Sequence, residues 1–131
     1  MLTPPATGDE TDDGLLSASE IMQLKLNADW VILSACNTAA ADGTPGAPGL
    51  SGLAKAFFYA GAKALLVSHW SVQTTMAARL TSDTVRAQQR DPSLTKPEAI
   101  RRAMLAVLDD RWLPSQYRHP AFWAPFFVVG D

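Results

Sequence analysis

Cys36 is the residue whose type and position invite nucleophilic chemistry. It is the only cysteine of 131 residues, and it follows the apolar run Trp30-Val31-Ile32-Leu33 through Ser34 and Ala35. That run reads as a strand buried on both faces of a parallel sheet. In open α/β sheets, ligands bind beyond the carboxyl ends of the strands, where strand ends and helix N-termini present free backbone donors. A thiol at such an end can have its thiolate stabilised, and it becomes a useful nucleophile when a base lies within hydrogen-bond reach. By position alone, an inert packing thiol is the competing reading.

The chain offers two histidines as bases, His69 and His119, both after the cysteine. His69 closes the next strand run, so its side chain is a candidate partner for the thiol, although a lone His beside Trp70 also reads as a packed or capping residue. His119, ahead of Pro120 in an aromatic loop, reads as structural, holding the turn into the last strand. Asn37 and Thr38 read as local turn-formers, and Asp42 as a solvated loop carboxylate. Trp30, Trp70, Trp112 and Trp123 read as core and sheet-cover aromatics.

Composition narrows the alternatives. Hydrophobic content of 47% and charged content of 18% fit one ordinary domain. The net charge is −2 and the basic residues are scattered apart from Arg101-Arg102, so no footprint for a phosphate backbone is visible and nucleic acid is not an expected ligand. The opening residues Met1-Leu2-Thr3-Pro4-Pro5 show neither a basic nor an apolar signal region. The apolar runs are too short to span a bilayer, so no membrane partner is expected. A single cysteine suits a reducing cytoplasm and rules out a multi-cysteine metal site in one chain. No cofactor or metal is expected.

The elements that would position these residues follow from the pattern. Residues 1–14, rich in Pro, Gly and carboxylates, read as a flexible lead-in, and 15–131 as the folded portion. Ser17 and Glu20 have the spacing of a capping box, with Ile21, Leu24 and Leu26 on the helix face that follows. After the first strand, Gly43, Pro45, Gly46, Pro48 and Gly49 make a loop. Helix resumes over 50–60, with Leu53, Phe57 and either Tyr59 or Ala60 on its apolar face and Gly61 at its end. Ala64-Leu65-Leu66-Val67 is a second buried strand. A helix over 72–90 carries Met76, Leu80 and Val85 on one stripe. Another starts at Thr95, with Pro97 in its first turn and Glu98 at the capping-box position, and runs through Ile100, Met104, Leu105 and Leu108. Phe126-Phe127-Val128-Val129-Gly130 is the third strand. The alternation implies βαβ crossovers and a mainly parallel sheet with helices packed on it. Three strands make a narrow sheet, with an edge exposed beside apolar side chains, and the expectation is that strands are missing on the N-terminal side.

Several blocks together carry a resemblance. They are Ile32-Leu33-Ser34-Ala35-Cys36-Asn37-Thr38-Ala39, Leu50-Ser51-Gly52-Leu53-Ala54-Lys55-Ala56-Phe57, Gly61 to Ser68 with Trp70, and His119-Pro120 with Trp123-Ala124-Pro125-Phe126 and Val129-Gly130-Asp131. In this order they resemble the C-terminal part of the CHAT family, a caspase-like and separase-like clan of cysteine peptidases often associated with tetratricopeptide repeats. The resemblance implies a caspase-like three-layer α/β sandwich whose N-terminal strands lie outside this chain, with Cys36 as the catalytic nucleophile. It also implies an activating histidine in a His-Gly pair, and none occurs here. Caspase-type signatures place that histidine roughly 50 residues before the cysteine, whereas 35 residues precede Cys36, so the base is expected before Met1.

The resulting expectation is a fragment of a cysteine endopeptidase, acting on a protein or peptide substrate, inactive alone and partnered by the missing N-terminal half-domain and repeat region. The alternative is a non-catalytic protein-interaction module with a relic cysteine. A nucleotide-binding domain has little support, because the glycines of 43–49 fit neither the G-x-G-x-x-G nor the G-K-[ST] spacing.

Overall fold

The computed structural model describes residues 16–33 and 50–130. The lead-in of residues 1–14, the glycine- and proline-rich loop of 43–49, and Cys36 with Asn37, Thr38 and Asp42 lie outside the described residues.

The first helix, α1 (Ala18–Gln23), starts because Ser17 and Glu20 satisfy each other's orphan amides. The Ser17 N–H donates to Glu20 Oε2 at 2.7 Å, and the Glu20 N–H donates to Ser17 Oγ at 3.3 Å. Strand β1 (Val31–Leu33) follows, then α2 (Leu50–Tyr59) and β2 (Ala64–Ser68). Helix α2 ends in a Schellman arrangement: the Gly61 N–H donates to Phe58 O and the Ala62 N–H to Phe57 O, both at 3.0 Å. Gly61 sits at φ +97°, which a residue with a Cβ rarely adopts. The apolar face of α2 uses Ala60, which is buried, while Tyr59 is 84% exposed.

Helices α3 (Thr74–Arg90) and α4 (Lys96–Asp109) form an antiparallel pair. Thr95 caps α4 by accepting from the Glu98 N–H. On α3 the buried stripe is Met76, Leu80 and Thr84, spaced by one turn each, with Val85 only half-buried. Thr84 tolerates burial because its hydroxyl donates to Leu80 O at 2.7 Å. On α4 the buried face is Ala99, Ile100, Ala103 and Val107. Leu105 is 40% exposed, and Met104 and Leu108 are half-buried. The small residues of that face let α4 lie close to α3.

Two short 3₁₀ turns, Ser115–Arg118 and Pro120–Phe122, lead into β3 (Phe126–Gly130). The sheet order is β1-β2-β3. Strands β1 and β2 are parallel, with Val31 opposite Leu65 and Leu33 opposite Val67. Strands β2 and β3 are antiparallel, from Ser68 opposite Phe126 to Ala64 opposite Gly130. The sheet is therefore mixed, where the alternating pattern implied a mainly parallel one. The cause is direction: α3 leaves the carboxyl end of β2, α4 returns to that end, and the loop through the 3₁₀ turns enters β3 from there. A parallel β3 would need one more crossover.

Helices cover both faces of the sheet. Leu65 and Val67 pack with Ile21, Ala56 and Phe57 of the α1 and α2 layer. Leu66 points the other way, into Met76, Leu80, Ile100 and Val107 of the α3 and α4 layer. All five residues of β2 are buried. Strand β1 is less covered than its unbroken apolar run implied: Val31 and Leu33 are half-buried and Ile32 is 39% exposed. Trp112 departs furthest from expectation. It is 96% exposed rather than part of the core, on a turn fixed by its N–H donating to Asp110 Oδ1 at 2.9 Å.

Candidate active site

The described residues give the end of the sheet from which the chain runs on toward Cys36. Leu33, the last described residue before it, sits opposite Val67, so the chain leaves β1 at the same end of the sheet at which β2 delivers Ser68, His69 and Trp70. Ser68 is 3% exposed. Beyond it the pairing with the β3 side continues for one more bond, from the His69 N–H to Pro125 O at 3.0 Å.

His69 stacks on Phe127, with ring centroids 4.4 Å apart and planes 18° from parallel. The two are diagonal neighbours across the antiparallel β2–β3 pair, within reach for ring side chains. One face of the imidazole is thus taken by an apolar partner, while the residue as a whole stays exposed. Trp70 is 44% exposed, and its indole N–H is anchored to Ala121 O at 3.0 Å. The rim therefore carries an imidazole and an indole at consecutive positions, each held by the loop or strand that follows α4.

His119 is committed elsewhere. It is the N-cap of the second 3₁₀ turn, where its Nδ1 accepts from the Ala121 N–H at 3.2 Å. With this bond it holds the turn leading to β3, as its place before Pro120 indicated. The same loop is tied down by the Trp123 indole N–H donating to Arg118 O at 3.1 Å. Tyr117 and Phe122 meet edge to face at 5.0 Å. Further out, Arg79 near the start of α3 bonds Asp110 just past α4 at 2.7 Å, and this hydrogen bond holds the Asp110 carboxyl below its ordinary range.

Among the described residues no group of three or more His, Cys, Asp or Glu could hold a metal ion, and no helix is long and apolar enough to cross a membrane. Among the described residues, the rim offers the exposed imidazole of His69, the exposed indole of Trp70 and the backbone around them. The stacking partner of His69 was not visible in the sequence, because it depends on β3 running antiparallel.

Comparison with known proteins agrees with the block pattern. No solved structure matches the chain. The mouse protein Tetratricopeptide repeat protein 28 is 29% identical to it over 121 residues, which is 89% of this chain and 4% of that protein. The chain thus spans a small fraction of the relative's length. The CHAT domain family matches residues 2–131, all but the first residue, and the chain belongs to that family.

Proposed function

We propose that this chain is the nucleophile-bearing C-terminal part of a caspase-like cysteine endopeptidase domain, with Cys36 as the attacking thiolate. The observation that carries the reading is membership of the CHAT family over nearly the whole chain, together with Leu33-Ser34-Ala35-Cys36-Asn37-Thr38 following directly from β1. A mixed sheet covered by helices on both faces is compatible with a caspase-like sandwich.

In this mechanism the Cys36 sulfur attacks the carbonyl carbon of a peptide bond, and backbone N–H groups, that of Cys36 first, receive the developing oxyanion. The C–N bond breaks, the amine departs with a proton from an imidazolium, and water then hydrolyses the thioester. The base comes from outside these 131 residues. His119 spends Nδ1 on a turn, and His69 leans on Phe127. The natural partners are then a protein or peptide substrate, a complementary N-terminal half-domain and a tetratricopeptide-like repeat region, in a cytoplasmic setting where a lone thiol stays reduced.

The interaction-module reading draws on the same two histidines: His119 commits Nδ1 to a turn, and His69 has one ring face against Phe127. A peptide electrophile separates the two. A peptidyl acyloxymethyl ketone is incubated with the chain and with its Cys36→Ser variant, alone and with candidate N-terminal half-domain supplied in trans. Labelling at Cys36 that depends on the peptide sequence and rises when the half-domain is added supports the peptidase. Labelling no faster than that of a free thiol in both settings leaves the interaction module.

A further inference from the structure

Helix α3 reaches past the edge of the sheet. Strand β1 is the outermost strand in the order β1-β2-β3, and its side chains alternate between the two helix layers. Val31 and Leu33 pack with the α1 and α2 layer. Ile32, opposite the buried Leu66, faces α3 and is 39% exposed. Beside it lies a groove of about 350 Å³, lined by Ile32 and by Thr81, Ser82, Val85 and Arg86 of α3, with no residue of β2. The helix therefore roofs a space on the outer flank of β1. It is held there by Trp30, at the entry to β1, whose indole N–H donates to Gln88 Oε1 of α3.

The chemistry of this flank selects its occupant. Thr81 commits its hydroxyl to Ala77 O at 2.8 Å, and Arg86 pairs with Asp83 at 3.0 Å, so neither calls for a polar ligand. Ile32 and Val85 are left as the apolar contacts. Edge strands normally carry a charge, a proline or a bulge that turns other strands away. Val31-Ile32-Leu33 carries no charge and no proline, and it pairs with β2 in unbroken register. Among the described residues no strand lies on the outer side of Val31 and Ile32. What completes a strand edge is another extended chain, whose main chain supplies the hydrogen bonds and whose alternate side chains fill the pockets on either face.

We infer that this flank is where the complementary half-domain docks: one of its strands pairs along the outer edge of β1 and sets an apolar side chain beside Ile32 and Val85, beneath α3. The identity of the partner rests on the peptidase reading above, and the docking surface and its mode are added here. A second copy of the chain is the poorer occupant. Pairing edge to edge about a two-fold axis normal to the sheet would bring both overhanging α3 helices onto one seam.

The test is analytical ultracentrifugation of the full chain, alone and with the candidate N-terminal half-domain, with Ile32→Lys and Leu105→Lys beside the parent. A lysine is a natural guard of a strand edge, and Leu105, 40% exposed on α4, is the control outside the groove. Association weakened about tenfold or more in Ile32→Lys and unchanged in Leu105→Lys is the expected result. Hydrogen–deuterium exchange of the parent needs no substitution, and residues 31–32 are expected to gain protection when the half-domain is added. The inference is overturned if the half-domain does not bind, if Ile32→Lys binds it as the parent does, or if residues 31–32 gain no protection. It is also overturned if the chain alone forms a dimer that Ile32→Lys abolishes, which would give the edge to a second copy. Labelling of Cys36 judges the peptidase reading separately. Association that depends on Ile32 without a rise in labelling keeps the docking surface and rejects the peptidase, and a rise that survives Ile32→Lys does the reverse.

Discussion

The imidazole of His69 lies against the ring of Phe127, 4.4 Å between centroids and 18° from parallel, so the histidine nearest in topology to the candidate nucleophile is packed by β3. In the reading proposed here it is a rim residue and not the base of Cys36. The rate of Cys36 alkylation against pH, followed by intact mass spectrometry, checks this. An unprimed thiol titrates near pH ~8.5, and His69→Ala is expected to leave that profile unchanged. Fast reaction well below pH 7 that is lost in His69→Ala would place the working base within the chain.

Leu66 and Leu65 are adjacent in β2 yet belong to different apolar clusters, one against α3 and α4, the other against α1 and α2. Both are fully buried. Each substitution to Ala is expected to cost about 2–5 kcal/mol by removing a buried side chain and leaving a cavity. Denaturant midpoints read both. A cost for either well under 1 kcal/mol would mean that its layer is not packed as described.

Gly130 has φ +89°, and a Cβ built there would lie 2.6 Å from Lys63 O and 2.9 Å from Phe58 Cε1. Backbone cannot yield as the end of a flexible side chain can. Gly130→Ala is therefore expected to destabilise by more than about 1 kcal/mol. Gly61→Ala carries the same strain in φ but a milder contact, 3.2 Å to Asn27 N, and is expected to cost less. The order of the two melting temperatures tests this.

Asp110 accepts from Arg79 at 2.7 Å, and that bond, with a second from the Trp112 N–H, lowers its carboxyl below the ordinary 3.8. A carboxyl whose pKa is lower folded than unfolded adds stability that is present above the unfolded value and lost as pH falls through the folded one. Asp110→Asn is therefore expected to unfold at lower denaturant than the parent at neutral pH, with the gap closing as pH falls below about 3.8. A gap of constant size down to acid pH would show that the ionised form of Asp110 is not what matters.

The parts of the fold that were legible in the sequence rest on local chemistry. Ser17 with Glu20, Thr95 with Glu98, and Gly61 each act within a few residues, and the helix ends fell where those residues stand. The three apolar runs all became strands. What depended on tertiary direction was hidden. The antiparallel entry of β3 follows from where α4 ends, and with it came the partner of His69. The buried face of α4 is carried by Ala99, Ala103 and Val107 beside Ile100, because close packing on α3 favours small residues over the larger Leu105. Thr84 was hidden by its hydroxyl, which the helix itself satisfies. Trp112 was misread because hydrophobicity says nothing of a turn that aims a side chain outward. Of the candidate site, Cys36 is proposed from its place after the first apolar run, and the structure adds the setting of the two histidines.

The burial of every residue of β2 has a consequence for how the molecule opens. A strand paired on both sides and roofed by helices on both faces has no local fluctuation that exposes its amides to solvent while the rest stays folded. Hydrogen–deuterium exchange at Leu65, Leu66 and Val67 should proceed only through unfolding of the whole, so the slowest amides there would read out the global stability of the domain directly, without denaturant.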